Sequence, residues 1–169
     1  PAQVARVLAG RLARFHTSPA IQERLAFLET KEAALKKTRG LIERVPYFCS
    51  GCPHNSSTHV PEESQAMAGI GCHYMVQWMD RSTDLFTHMG GEGANWIGQA
   101  PFTTTPHIFQ NIGDGTYFHS GLLAIRAAAA ADINITYKIL YNDAVAMTGG
   151  QQVDGPLSVS QITHQLYGE

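Results

Sequence analysis

Charged residues are scarce in most of this 169-residue chain, and those present are unevenly distributed. Residues 49–169 contain three Lys or Arg and ten Asp or Glu, whereas residues 1–48 contain nine basic and four acidic residues. Soluble domains usually carry about 25% charged residues. We therefore expect residues 49–169 to hide much of their surface within a larger assembly. The overall net charge of -2 argues against a nucleic-acid partner and against an anionic membrane surface.

Long apolar runs and targeting signals are also missing from the sequence. No apolar stretch approaches the roughly 20 residues of a membrane span, and no basic segment precedes an apolar one as in a secretory signal. The chain does not begin with Met, which suggests a processed or excised piece. The apolar fraction of 44% excludes a disordered chain and predicts a folded domain with a real core.

Cysteine is limited to Cys49, Cys52 and Cys72. An odd number without a secretion signal does not make a disulfide framework. A Cys-x-x-Cys pair with a third Cys nearby fits ligation of a metal or cluster in a reducing compartment, so we expect a cytoplasmic protein. Two alternatives are structural thiols without a ligand, and zinc held by the three cysteines and either His54 or His73.

Residues 1–44 are predicted to form a helical connector of two helices. The first carries an apolar stripe at helical spacing, formed by Val4, Val7, Leu8, Leu12 and Phe15. The second begins at Ser18 and Pro19, a cap followed by a first-turn proline, and Gly40 is predicted to end it. The change of composition after residue 44 predicts a separate domain over 45–169.

Residues 45–169 are predicted to be an α/β domain, a three-layer sandwich with a parallel sheet. Residues 107–112 are typical of a buried strand, 117–131 of an alanine-rich helix, and 133–141 of a β-branched strand. Strand, glycine turn, helix and strand form a βαβ crossover, which makes the sheet parallel. Two further predictions are a partial helix over 66–78 and a short strand over 84–88.

Polar residues follow both strands of this crossover. Because ligands bind at the carboxyl ends of parallel strands, we expect Asp114 and Asn142 to lie at one site. Their oxygens suit Mg²⁺, which usually also takes phosphate oxygens. Gly113 and Gly115 permit close backbone approach, and the helix that begins near Thr116 offers free N–H groups to a phosphate. The residues alone predict a site for Mg²⁺ and a phosphorylated cofactor, although Gly-Asp-Gly is also an ordinary turn.

The spacing between these residues resembles a motif of a known enzyme family. Gly-Asp-Gly at 113–115 followed by Asn142 after 26 intervening residues resembles the Mg²⁺–thiamine-diphosphate motif of thiamine-dependent enzymes. The resemblance implies that Asp114, the Asn142 side chain and the main-chain carbonyl of Ala144 hold the metal against the diphosphate. Asp143 flanks the motif and is expected to point outward.

Longer motifs narrow the resemblance to the indolepyruvate ferredoxin oxidoreductase family, in its long single-chain bacterial form. They are YFCSGCPH (47–54), GIGC (69–72), GDGTYFHSG (113–121) and AMTGGQ (146–151). The similarity runs from about residue 44 to at least residue 156. It implies oxidative decarboxylation of an aryl pyruvate, a 2-oxoacid such as indolepyruvate, to an aryl-acetyl-CoA, with electrons passing through [4Fe–4S] clusters to ferredoxin.

The same resemblance assigns roles to individual residues. Cys49, Cys52 and Cys72 match cysteines that ligate a cluster, which usually needs a fourth thiolate. His54 is either a contact to the diphosphate or an ordinary loop histidine, and residues 89–93 are either a cofactor-wrapping loop or a tight turn. The predicted cofactor-binding residues are His54, Gly90, Gly91, Gly113, Gly115, Thr116, Thr148 and Gly149.

The family also implies that this chain is incomplete as a catalyst. The glutamate that activates the cofactor comes from the pyrimidine-side domain of the same enzyme, so no catalytic residue is predicted here, and the full-length enzyme is expected to be a homo-oligomer. Two other classes stay open. A non-oxidative thiamine decarboxylase has no use for the cysteines, and a non-catalytic zinc-stabilised domain has no use for Asp114 and Asn142.

Overall fold

The computed structural model describes residues 2–38 and 44–169. The chain divides into two compact units, Pro1–Arg44 and Val45–Glu169. Gly40, predicted to end the second helix, lies outside the described residues. None of the described helices combines the length and the apolar character that crossing a membrane requires.

The first unit is a pair of helices, α1 (Ala2–Leu12) and α2 (Pro19–Thr38). An ion pair joins them, with Arg6 Nη1 2.8 Å from Glu32 Oε2. The apolar stripe predicted on α1 is exposed; Val7, for example, is 62% exposed. Small side chains of α1 line a groove with α2 instead, so the stripe does not form the core of this unit.

The second unit is built on a four-stranded parallel sheet. Its strands are β1 (Gln65–Ala68), β2 (Thr83–Phe86), β3 (Ile108–Gly113) and β4 (Ile135–Leu140). They lie in the order β2-β1-β3-β4, and each neighbouring pair is parallel. The predicted α/β class and parallel sheet are therefore confirmed.

The helices of the second unit are short apart from the crossover between β3 and β4. That crossover runs through α5 (Asp114–Thr116), a π-helical turn (Tyr117–Gly121) and α6 (Leu122–Ala130) without interruption. The remaining helices are α3 (His54–Ser57), a 3₁₀ helix (Cys72–Trp78), α4 (Ala94–Gln99), a second 3₁₀ helix (Ala100–Phe102) and α7 (Val159–Tyr167).

Apolar side chains cover both faces of the sheet, as parallel strands require. One face packs against helices through two clusters. The first is centred on Met67 and Trp96, and the second is centred on Tyr117 and Ile125. The other face carries a cluster with Val76, from the 3₁₀ helix, at its centre. The domain therefore has the three layers that the sequence predicts.

The prediction of a partial helix over residues 66–78 is wrong for its first part. Those residues form β1, whose Ala66, Met67 and Ala68 are all buried between β2 and β3. Alanine and methionine favour helices in isolation, but burial between two neighbouring strands overrides this preference. Helix begins at Cys72, after Gly71 with a φ of +155°.

Candidate functional site

A cleft at the carboxyl edge of the sheet brings together most of the predicted site residues. It is formed mainly by the loops that follow β1, β3 and β4. This edge is where open parallel sheets bind their ligands. The predicted residues that line it are His54, Cys72, Gly113, Asp114, Gly115, Thr116, Asn142 and Ala144.

Asp114 is the acid at the centre of the cleft, and it is only 2% exposed. Its Oδ2 accepts hydrogen bonds from the N–H groups of Asn142, at 2.8 Å, and Asp143, at 2.6 Å. Its Oδ1 accepts from the N–H of Gly115 at 2.8 Å. One carboxylate thus joins the end of β3 to the loop that follows β4.

Asn142 and Ala144 place further oxygen atoms, of the kind that bind metal ions, beside Asp114. The side-chain Oδ1 of Asn142 accepts a hydrogen bond from the N–H of Ala144 at 3.2 Å, and both residues line the cleft. A carboxylate has about four acceptor sites, so Asp114 retains capacity beyond its three N–H bonds. Carboxylate, amide and main-chain oxygens fit a hard cation such as Mg²⁺.

The imidazole of His73 is packed against glycines at the end of β1 and β3. A Cβ atom placed on Gly69 would lie 2.7 Å from its Nε2. A Cβ on Gly71 would lie 2.7 Å from its Cε1, and one on Gly113 would lie 3.2 Å from the same atom. These contacts leave no room for a side chain, which explains why glycines flank the cleft at these positions.

Burial favours the neutral form of the two histidines of the cleft. Burial, together with the neighbouring His54, lowers the pKa of His73 to about 4. Burial also lowers the pKa of His54, although the negative charge of Asp114 opposes this shift. Among the described residues that line the cleft, none is Lys or Arg. An anionic ligand would therefore need a bound cation for charge balance.

The predicted Gly90 and Gly91 lie near the cleft but are not among its lining residues. Gly90 has a φ of +90°, and a Cβ there would meet the Oγ of Ser120 in the π-helical turn. A Cβ on Gly91 would lie 2.7 Å from the imidazole of His88. Their neighbour Met89 lines the cleft. These glycines therefore allow the loop to pack closely.

Thr148 and Gly149 form a turn beside the cleft rather than its wall. Thr148 Oγ1 donates to Gln151 Oε1 at 2.8 Å, and Gly149 has a φ of +128°. The turn is closed by a bridge in which Val145 N–H donates to the carbonyl of Gln151 at 2.8 Å. Val145 and Met147 both line the cleft.

The three cysteines are free thiols with different exposures. Cys49 is exposed, and Cys72 lines the cleft. Cys52 packs against the cluster around Val76, which also contains Phe48. Burial raises the pKa of Cys72, and the negative charges of the Cys52 and Cys49 thiolates raise it further. Within the described residues, no three His, Cys, Asp or Glu side chains are arranged to hold a metal ion.

Sequence reasoning did not identify two apolar residues of the cleft. Ile70 lines it from the loop after β1, and Val145 lines it from the loop after β4. The available signal was the Gly69-x-Gly71 spacing directly after a short apolar stretch, since that pattern indicates a backbone in close contact with another group.

A family comparison agrees with this geometry. The chain matches the family described as "Thiamine pyrophosphate enzyme, C-terminal TPP binding domain" over residues 69–165, more than half of its length. The matched region contains every predicted cleft residue except His54.

Three similar proteins all carry the name indolepyruvate oxidoreductase subunit IorA. The protein from Methanothermobacter marburgensis is 29% identical over 127 residues, which are 68% of this chain and 20% of that protein. The one from Thermococcus kodakarensis is 26% identical over 148 residues, which are 76% of this chain and 23% of that protein. The third, from Methanothermobacter thermautotrophicus, is 29% identical over 125 residues. These matches confirm the resemblance, and the chain spans about a fifth of its relatives' length.

Proposed function

The chain belongs to the thiamine pyrophosphate enzyme family and carries its C-terminal TPP-binding domain, and on this premise we propose that residues 45–169 bind Mg²⁺ and the diphosphate of thiamine diphosphate in the cleft. The observation that carries the proposal is the position of Asp114. Its carboxylate holds the loop with Asn142 and Ala144 at the edge where parallel sheets bind ligands.

The metal ligands in this proposal are Asp114, the amide oxygen of Asn142 and the carbonyl oxygen of Ala144. Asp114 supplies the negative charge, and the two neutral oxygens come from the same short loop, which the Asp114 carboxylate already orders. Mg²⁺ is commonly bound by one or two carboxylates together with phosphate oxygens and water. The cation also compensates for the lack of Lys and Arg among the described cleft residues.

The diphosphate would lie over the start of the β3–β4 crossover. Gly113, Gly115 and Thr116 line the cleft there, and Thr116 lies at the start of a helical segment whose N–H groups suit a phosphate. His54 reaches the same cleft as a neutral donor. Gly90, Gly91, Thr148 and Gly149 contribute through the loops that carry the lining residues Met89 and Met147.

We further propose that the full-length enzyme is an oxidoreductase for 2-oxoacids of the aryl pyruvate class. The support is the name of the relatives, indolepyruvate oxidoreductase, together with the thiamine family of the chain. Thiamine diphosphate, when bound, supplies the electron sink for decarboxylation. In the proposed reaction CoA accepts the aryl-acetyl group and ferredoxin accepts the electrons, in a cytoplasmic homo-oligomer that includes a pyrimidine-side domain.

From the family resemblance, we propose Cys49, Cys52 and Cys72 as three ligands of a [4Fe–4S] cluster that carries these electrons, although the three thiols are not arranged as a metal site in the described residues. Cys72 lines the same cleft as Asp114, so a cluster at this position would lie beside the cofactor. The fourth ligand would come from outside this set of cysteines.

Calorimetric titration of thiamine diphosphate, with Mg²⁺ and then with a chelator, tests the cofactor proposal. Binding that depends on Mg²⁺ supports it, and no binding in either condition contradicts it. Metal analysis of anaerobically purified protein tests the rest. Iron with sulfide supports the oxidoreductase, magnesium alone favours a non-oxidative thiamine enzyme, and zinc favours a zinc-stabilised domain.

A further inference from the structure

Glu92 is a buried carboxylate that joins two of the loops at the carboxyl edge of the sheet. Its side chain is 0% exposed. Oε1 accepts a hydrogen bond from the N–H of Ile70 at 3.2 Å, and Oε2 accepts one from the N–H of Gly90 at 2.6 Å. Ile70 belongs to the loop after β1 and Gly90 to the loop after β2, so one side chain fixes both loops.

The hydrogen bonds continue from Glu92 across the whole edge. The carbonyl of Ile70 accepts from Thr116 Oγ1 at 3.4 Å, and Thr116 lies in α5, directly after β3. Asp114 then joins α5 to Asn142, after β4. The loops are therefore linked in the spatial order of the strands, β2-β1-β3-β4. Glu92 lies at the β2 end of this series of linked loops, and the proposed metal site lies at the β4 end.

The backbone around Glu92 is fixed as firmly as its side chain. The hydroxyl of Tyr137, on β4, donates to the Glu92 carbonyl at 3.0 Å. A Cβ on the next residue, Gly93, would meet that same hydroxyl, and one on Gly90 would meet Ser120. The loop therefore has a defined position, and the Glu92 carboxylate transmits that position to Ile70.

We propose that Glu92 is a positioning residue for cofactor binding, which fixes Ile70 and Met89 in the walls of the cleft through its two backbone hydrogen bonds. This inference rests on the proposed function. Ile70 and Met89 line the cleft, whereas Glu92 is not among the lining residues and acts through them.

The chemistry of the position requires glutamate in particular. Both bonds come from N–H donors, so the side chain needs two acceptor oxygens. Glutamine offers one oxygen, and its NH₂ group would face an N–H. Aspartate keeps two oxygens but is one methylene shorter, so its carboxylate would be drawn back from both N–H groups.

The test compares Glu92→Gln and Glu92→Asp with the wild type and with Glu62→Gln, a matched change at an exposed carboxylate. Calorimetry gives the dissociation constant for thiamine diphosphate with Mg²⁺, and amide hydrogen exchange follows the N–H groups of Ile70 and Gly90. We expect both Glu92 variants to bind thiamine diphosphate more weakly than the wild type and to exchange both amides faster. Glu62→Gln should match the wild type in both measurements.

Other results would overturn the proposal. A folded Glu92→Gln protein with wild-type affinity and wild-type exchange contradicts it, and so does a lower melting temperature with unchanged affinity, since that shows a role in stability alone. If the wild type and Glu62→Gln bind no thiamine diphosphate, the proposed function fails, and amide exchange in the Glu92 variants still decides the positioning role. If neither Glu92 variant folds, fast exchange of the Ile70 and Gly90 amides in the wild type refutes it.

Discussion

At the scale of single residues, Asp114 has two roles that reinforce each other. Its three hydrogen bonds from main-chain N–H groups order the loop that carries Asn142 and Ala144. The carboxylate keeps acceptor capacity beyond these three bonds, which a cation can use. The proposed metal ligands are therefore already close together before any ion is bound, which reduces the entropy lost on binding.

Tyr137 gives a prediction about alkaline pH. Burial, with a contribution from Glu92, raises its pKa to about 12 from a usual value of 10. The unfolded chain releases this proton near pH 10 and the folded chain near pH 12, so stability falls as the pH rises between these values. At pH 11 we expect a loss of about 1 kcal/mol, after allowance for the partial exposure of the ring.

Urea unfolding at pH 8 and pH 11 measures this loss. Trp fluorescence is the suitable signal because both tryptophans, Trp78 and Trp96, belong to the second unit. Tyr137→Phe should reduce the difference between the two pH values, while Tyr167→Phe, at a 92% exposed position, should leave it as in the wild type. An equal difference in all three proteins would show that Tyr137 does not titrate in this way.

At the scale of secondary-structure elements, the βαβ unit could be predicted because its signals are local. Residues 133–141 alternate and are β-branched, and residues 117–131 are rich in alanine. The residues 66–68 could not, because β1 is a strand through its pairing with β2 and β3 rather than through its own preference. The apolar stripe of α1 was recognised, but only the structure shows that this face is exposed.

Gly69 gives a prediction at the end of β1. A Cβ there would meet the carbonyl of Asn111 and lie 2.7 Å from the Nε2 of His73. Gly69→Ala should lower the free energy of unfolding by about 1–3 kcal/mol, because neither the backbone of β3 nor the closely packed imidazole of His73 has room to move. Urea unfolding of the second unit, followed by Trp fluorescence, measures this change.

Gly98→Ala is the matched control for this substitution. Gly98 lies in α4, and a Cβ there would meet nothing within 4 Å. The change should stabilise the domain by up to about 1 kcal/mol, because alanine favours a helix over glycine. If Gly69→Ala is as well tolerated as Gly98→Ala, the close packing at the end of β1 is not a constraint.

The candidate site was predictable where its residues follow strands directly. Asp114 and Asn142 could be placed together because β3 and β4 are parallel neighbours, and the structure puts both in one cleft. Ile70 could not be found, because its position depends on Glu92, which is 22 residues away in the sequence. Such a contact has no local signature.

At the scale of the whole molecule, two observations bear on whether the second unit works together with other domains. The charge content of residues 49–169 is well below the usual level. The chain spans about a fifth of the relatives that it matches. Both observations agree with a domain that works together with other domains, in which a broad surface is covered.

We predict that this 169-residue chain alone does not catalyse turnover. Asp114 is the acid that lines the cleft within the described residues, and it is assigned to the metal. Glu92 is already engaged with Ile70 and Gly90. The measurement is anaerobic reduction of a viologen dye with indolepyruvate, CoA, Mg²⁺ and thiamine diphosphate. Sustained reduction of the dye would show that the catalytic site is complete in this chain.

The central claim is that Asp114 binds the Mg²⁺ that holds thiamine diphosphate, and calorimetric titration of Asp114→Ala tests it most directly. Asp114→Asn keeps the shape of the side chain without its charge, and Asp132→Asn makes the same change at an exposed position. If Asp114 binds this Mg²⁺, Asp132→Asn binds as the wild type does, and both Asp114 variants lose Mg²⁺-dependent binding. Unchanged Mg²⁺-dependent affinity in folded Asp114→Ala would contradict it.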